Sequence, residues 1–251
     1  MKRRVIAFDL DNTLADSKSQ LSEQMADLLE RLLYRFQVCV ISGGKFEQFE
    51  KQLLDVLESA PGELRALHLM PTCGTQYYRF DLQAGAWQQI YAEDLTADEK
   101  TRTIAALTKA SDALGYNEPR LWGAQIEDRG SQITFSGLGQ DAPIASKEAW
   151  DPDGEKKRKL RDHVAKLIPD LGVRVGGSTS IDVTKHGIDK AYGITKLIGM
   201  LAATKEDVLF VGDKLSEGGN DYPVKAMGVD CLPVSRWQDT ALIVQTILSV
   251  T

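Results

Sequence analysis

Apolar residues fall along this chain in two rhythms, short continuous runs and longer stretches at helical spacing. Residues 4–8 (RVIAF) form a β-branched run ending in polar residues, as a buried parallel strand does. Over 20–35, Leu21, Met25, Leu28, Leu29, Leu32 and Leu33 recur at helical spacing with charges between them. A second strand run at 38–41 (VCVI) closes on Ser42-Gly43-Gly44, and Phe46, Phe49, Leu53, Leu54 and Leu57 mark a helix over 46–58. Strand, helix, strand, helix in that order predicts a doubly wound, Rossmann-like α/β core with a mostly parallel sheet. The last third resumes the theme with a helix over 190–202 and a strand run at 208–211 ending on Gly212-Asp213. A short strand near 229–234 and a helix over 238–249 follow.

The middle differs in character. Tyr77-Tyr78-Arg79-Phe80 and Trp87-Gln88-Gln89-Ile90-Tyr91, with Gly85 between them, predict a hairpin. Next come a polar helix over 96–114, a strand over 131–136, and a break from Trp150 to Gly154 that leads into a charged helix over 154–168. Strands at 172–175 and 179–184 complete an inserted α+β segment. The expected domains are a core of residues 1–92 and 187–251 and an insert of 93–186. The basic run Lys156-Lys157-Arg158-Lys159, flanked by acids, reads as a solvated helix face.

Composition changes this picture little but removes some function classes. With 43% hydrophobic and 26% charged residues in 251, the chain can bury a full core. A formal net charge of −6 argues against a general nucleic-acid binder, whose footprint is basic. Cys39, Cys73 and Cys231 are odd in number and far apart, which speaks against a disulfide framework or a zinc site and for a reducing compartment. Met1-Lys2-Arg3-Arg4 looks like the start of a signal peptide, but the apolar run after it stops at Asp9. No stretch reaches membrane-spanning length, so a cytoplasmic protein with no membrane partner is expected.

Chemistry concentrates where strands end. Asp9 and Asp11 sit two apart at the end of the first strand, so in extended chain both carboxylates face one side. Ligands of an open α/β sheet bind beyond the strand carboxyl ends, and two close acids call for a hard cation such as Mg2+. Asp, Asn and Thr also make ordinary turns, so the segment through Thr13 taken alone is ambiguous. Ser42, Gly43 and Gly44, at a strand end opening a helix, suit a phosphate, although such turns often use Ser and Gly anyway. Asp213 and Asp221 add an acid cluster in an equivalent place, and either Lys185 or Lys190 could oppose a phosphate.

The order of these pieces resembles the haloacid dehalogenase superfamily, with its D-x-D-x-T motif as Asp9–Thr13, motif two as Ser42, motif three as a lysine and motif four as a strand-end acid pair. Its subfamily IIB, which holds Cof-type sugar phosphatases and eukaryotic phosphomannomutases, carries a cap where this chain has its insert. The phosphomannomutase resemblance is strongest and covers nearly the whole chain. It lies in Ser42-Gly43-Gly44-Lys45-Phe46-Glu47, in Gly176-Gly177-Ser178-Thr179-Ser180-Ile181-Asp182-Val183, and in Gly212-Asp213-Lys214 with Gly218-Gly219-Asn220-Asp221. Two positions depart from the mutase pattern. Asn12 stands where the mutases have glycine, and Gln140 stands at the place of a cap arginine that grips a distal phosphate.

The resemblance implies an enzyme in which Asp9 attacks phosphorus and Asp11 acts as acid and then base. Thr13, Ser42, Gly43 and Lys190 would bind the transferring phosphoryl group, Lys190 being preferred to Lys185 as the nearer to a helix start. Asp9, Asp11 (through its carbonyl), Asp213 and Asp221 would hold Mg2+, and Arg129, Ser180 and Asp182 would bind a small phosphorylated sugar. Because a mutase must hold a bisphosphate at both ends, Gln140 favours a phosphatase, with a hexose phosphomutase as the alternative. A non-catalytic phospho-acceptor or sugar-phosphate-binding regulator ranks third. Receiver domains place their aspartate on a middle strand and lack a cap, whereas Asp9 ends the first strand. Mutase relatives pair through their caps, which implies a homodimer.

Overall fold

The computed structural model describes residues 3–250 and divides into two compact units, Met1–Ala92 with Asp189–Thr251, and Glu93–Ile188. The chain thus returns to the first unit at Asp189, two residues later than the expected 187. In chain order the strands are β1 Val5–Asp9, β2 Gln37–Ile41, β3 Leu67–Met70, β4 Gln76–Asp81, β5 Ala86–Ala92 and β6 Ile126–Asp128. They continue with β7 Ile133–Ser136, β8 Gly172–Val175, β9 Ser180–Thr184, β10 Val208–Gly212 and β11 Asp230–Pro233.

The first unit is the expected α/β core. Its seven-stranded sheet runs β11-β10-β1-β2-β3-β4-β5, and the five strands from β11 to β3 are mutually parallel. β4 and β5 are antiparallel and carry the sheet to a partly exposed edge. Every residue of β1 is buried because helices cover both faces. Ile6 and Phe8 pack with Met25, Leu28, Leu29 and Leu32 of the helix Glu23–Leu33. Val5 and Ala7, alternating to the other side, pack with Ile194 and Leu197 of the helix Lys190–Met200.

The second unit is an α+β layer. Its sheet is ordered β6-β7-β9-β8 and antiparallel throughout, with the helices Ala97–Leu114 and Glu155–Leu167 supplying Leu107, Ala110, Leu160 and Val164 to its core.

Four elements differ from the expectations. The helix expected over 46–58 ends at Gln52 and breaks into a single 3-10 turn at Leu54–Val56. β3 carries His68 inside its apolar run, which hides the strand from a hydrophobic count. The imidazole is satisfied where it is buried, by Tyr77 Oη and Gln37 Oε1 at 2.8 Å each. β6 and the helix Ile144–Trp150 are too short and too mixed to show a period. No helix among the described residues is long and apolar enough to cross a membrane.

Candidate active site

β1 and β10 are parallel neighbours, with Phe8 opposite Val211, so Asp9 at the end of one strand and Asp213 just past the other come side by side. β2 lies on the other flank of β1 and delivers Ser42 from just beyond Ile41. Parallel pairing therefore gathers residues more than 200 positions apart at one sheet end.

Lys190 opens its helix, with Asp189 as N-cap accepting from the Tyr192 N–H at 3.0 Å. Its ammonium is fully buried and donates to Asp9 Oδ1, and to Asp221 Oδ1 at 2.5 Å. Asp221 also accepts from the Lys214 N–H at 2.9 Å. Gly212 makes this approach feasible, since a Cβ there would lie 2.5 Å from Asp221 Oδ2. Oxygens of Asp9, Asp213 and Asp221 lie within 4.8 Å of one another, an all-carboxylate set suited to a hard divalent cation. Burial pushes the Asp9 carboxyl up to about 8, with Lys190 pulling it down and Asp221 and Asp213 raising it further. For Lys190 burial works against the charge, but its two carboxylate partners prevail and hold the ammonium well above the usual lysine range.

Asp11 stands apart from that cluster. The strand ends at Asp9, and Asn12 takes a left-handed conformation (φ 61°), so the extended-chain argument that pointed both carboxylates one way stops at Asp9. The left-handed region is open to glycine and asparagine, which accounts for Asn12 at a family glycine. The Asp11 carboxylate accepts from the Lys18 N–H at 2.7 Å and from Gln48 Nε2 at 2.9 Å, with Gln52 Nε2 at 3.4 Å. Gln48 and Gln52 went unnoticed in the sequence. Their signal was the four-residue spacing on a helix that follows Ser42–Gly44.

Thr13 is wholly buried and its hydroxyl has no partner among the described residues. Ser42 is buried, and its Oγ accepts from the Gly44 N–H at 3.1 Å across Gly43. Lys185 belongs to the other unit, where it is exposed and donates to the Asp94 carbonyl at 3.0 Å. It is Lys190, then, that meets the acids of the core.

Arg129, Ser180 and Asp182 all belong to the second unit. β7 and β9 pair Thr134 with Asp182 and Ser136 with Ser180. Asp182 Oδ1 accepts from Thr134 Oγ1 at 2.7 Å and Gln132 Nε2 at 2.9 Å, while burial pushes its carboxyl up against the opposing pull of Arg129. Arg129 donates to Glu127 Oε2 at 2.8 Å and to Gln140 Oε1 at 3.4 Å. Ser180 Oγ accepts from the Gly177 N–H at 2.7 Å.

Comparison with known proteins bears on this arrangement. The family model described as eukaryotic phosphomannomutase matches residues 25–250. The chain is 26% identical over 232 residues to a phosphomannomutase of Encephalitozoon cuniculi, covering 89% of this chain and 84% of that one. It is 25% identical over 237 residues to human phosphomannomutase 1, covering 90% and 84%. Among solved structures, an IMP-bound IMP-nucleotidase of Plasmodium falciparum shares the fold at a TM-score of 0.72 and 16% identity, covering 99% of this chain and 69% of that one. A haloacid dehalogenase-like hydrolase of Bacteroides thetaiotaomicron does so at 0.63 and 16%, covering 98% and 100%. With the family model spanning most of its length, the chain belongs to the eukaryotic phosphomannomutase family.

Proposed function

We propose that this protein is a Mg2+-dependent phosphotransferase of the hexose phosphomutase type, working through an aspartyl-phosphate on Asp9. The observation that carries the reading is the buried Lys190 ammonium between Asp9 and Asp221 at the strand ends, in a chain matched over residues 25–250 by a phosphomannomutase family. Relatives named phosphomannomutase favour this alternative over the phosphatase that the sequence put first.

In the proposed reaction an Asp9 oxygen attacks the substrate phosphorus and the sugar oxygen leaves with a proton from Asp11. Asp11, once deprotonated, takes the proton of the next acceptor, which attacks the aspartyl-phosphate and frees Asp9. In a mutase that acceptor is a sugar hydroxyl; in a phosphatase it is water. The hydrogen bonds from Lys18, Gln48 and Gln52 hold the Asp11 carboxylate in one orientation for this work. Thr13, Ser42, Gly43 and Lys190 bind the phosphoryl group, Lys190 also stabilising the ionised form of Asp9. Mg2+ held by Asp9, Asp213, Asp221 and the Asp11 carbonyl would neutralise phosphate charge when bound. The sugar contacts are assigned to Arg129, Ser180 and Asp182.

One observation favours hydrolysis instead. The resemblance puts Gln140 at the place of the distal-phosphate arginine, and Arg129 is already paired with Glu127 beside Asp182. That cluster has no surplus positive charge to hold a second phosphate. Incubation with mannose 1-phosphate, Mg2+ and a hexose bisphosphate separates the readings. The mutase yields mannose 6-phosphate, while free phosphate without isomerisation would establish the phosphatase. Turnover retained in Asp9→Asn would overturn both.

A further inference from the structure

The first unit has a second opening, away from the catalytic loops. A cavity of about 360 Å3 is lined by Gln37, Gly62, Arg65, Ala66, Arg79 and Leu201. Gln37 begins β2 and Ala66 directly precedes β3, so the cavity lies at the amino ends of these two strands, the opposite end of the parallel sheet from Asp9, Ser42 and Asp213. The helix Lys190–Met200 spans the interval, Lys190 at the catalytic end and Leu201 just past the other. At 1.5 Å per residue the two ends are about 16 Å apart.

The donors of this cavity are oriented by a hydrogen-bond chain that runs from the surface to a buried histidine. Arg79 donates through Nη1 to Tyr77 Oη at 3.1 Å and through Nη2 to the Arg65 carbonyl. The Tyr77 oxygen, already accepting, turns its own proton to His68 Nδ1 at 2.8 Å, and His68 Nε2–H goes to Gln37 Oε1 at 2.8 Å. Burial, aided by the Arg79 charge, pushes the His68 imidazole down to about 3, which keeps it neutral and able to pass this polarity along. With its oxygen engaged, Gln37 has its amide NH2 left to offer.

Charge balance points the same way. Arg79 Nε is buried and finds no acceptor, and neither Arg79 nor Arg65 forms an ion pair among the described residues. Glu63, the acid nearest Arg65 in sequence, is turned to the Ala60 N–H at 3.3 Å and to Tyr34. The other lining side chains are neutral. A half-buried guanidinium with no counter-charge is costly, and its planar fork matches a tetrahedral oxyanion.

We propose that this cavity is a binding site for a small phosphate-type dianion, inorganic phosphate or a phosphate monoester, held by Arg65, Arg79 and Gln37 apart from the catalytic site. Titration calorimetry without divalent cation, using inorganic phosphate and glycerol phosphate in parallel, tests it. Wild type and Ser42→Ala should bind alike, and Arg65→Ser and Arg79→Gln should each bind roughly tenfold more weakly or worse, the scale of one lost charged hydrogen bond. Tighter binding of either ligand supports the site and identifies the source of its phosphate. No binding to wild type, or unchanged affinity in folded Arg65→Ser, overturns the proposal. Should Arg79→Gln not fold, the exposed Arg65 decides alone.

Discussion

Lys190 and Asp221 form an ion pair from which water is excluded, Nζ to Oδ1 at 2.5 Å with both side chains 0% exposed. The same ammonium serves Asp9, so one cation offsets two buried carboxylates with Asp213 close by. Stability and chemistry therefore depend on the same charges.

Lys190→Ala should be costly in both respects. It leaves Asp9 and Asp221 buried without a counter-charge, a loss on the order of 3–5 kcal/mol. Urea unfolding should show that loss, and Lys190→Met with Asp221→Asn should recover a large part of it without restoring turnover.

Asp9→Asn should do the opposite. It removes the proposed nucleophile, lowering turnover by about four orders of magnitude or more. It also removes one of three crowded carboxylates, so the melting temperature without metal should equal or exceed that of the wild type. A clear fall in melting temperature would mean that Asp9 is held mainly for structure.

Asp11→Asn preserves shape but cannot give or take the proton. Turnover should fall by about two to four orders of magnitude, with KM changed little. Gln48→Ala, which removes only a donor that orients Asp11, should produce a smaller fall in the same parameter.

Two glycines of one helix make a matched pair. A Cβ on Gly193 would lie 2.5 Å from Ile41 Cδ1 and 2.7 Å from the Cys73 carbonyl, so Gly193→Ala must displace the helix that carries Lys190. A cost of about 1–3 kcal/mol and reduced turnover are expected. At Gly199 a Cβ meets nothing within 4 Å, and Gly199→Ala should stabilise by roughly 0.5–1 kcal/mol with turnover unchanged. Thermal melts and kinetics of the two variants compare them directly.

His68 predicts an acid limb of the stability curve. Its folded pKa of about 3 lies below the unfolded value of 6.5, so the unfolded chain takes up this proton first as pH falls. Its contribution is complete above 6.5 and is lost progressively towards 3. The slope from this one group is at most about 1.4 kcal/mol per pH unit. Urea titrations between pH 7 and pH 4 should be measurably flatter for His68→Gln than for the wild type.

Much of this protein is written locally. The runs at β1, β2 and β10 and the periodic helix Glu23–Leu33 follow from which residues must leave water, and that is a property of sequence spacing. The motif residues at strand ends were legible for the same reason, because a buried parallel strand announces where its carboxyl end lies. Other features depend on what arrives from elsewhere in the chain. β3 stays hidden because His68 looks polar until Tyr77 and Gln37 satisfy it. Lys185 and Lys190 are equivalent as letters, and only the start of the helix Lys190–Met200 beside β1 and β10 puts one of them among the acids. The direction of the Asp11 carboxylate was decided by a left-handed Asn12 and by two glutamines about forty residues away, partners that spacing along the chain cannot reveal.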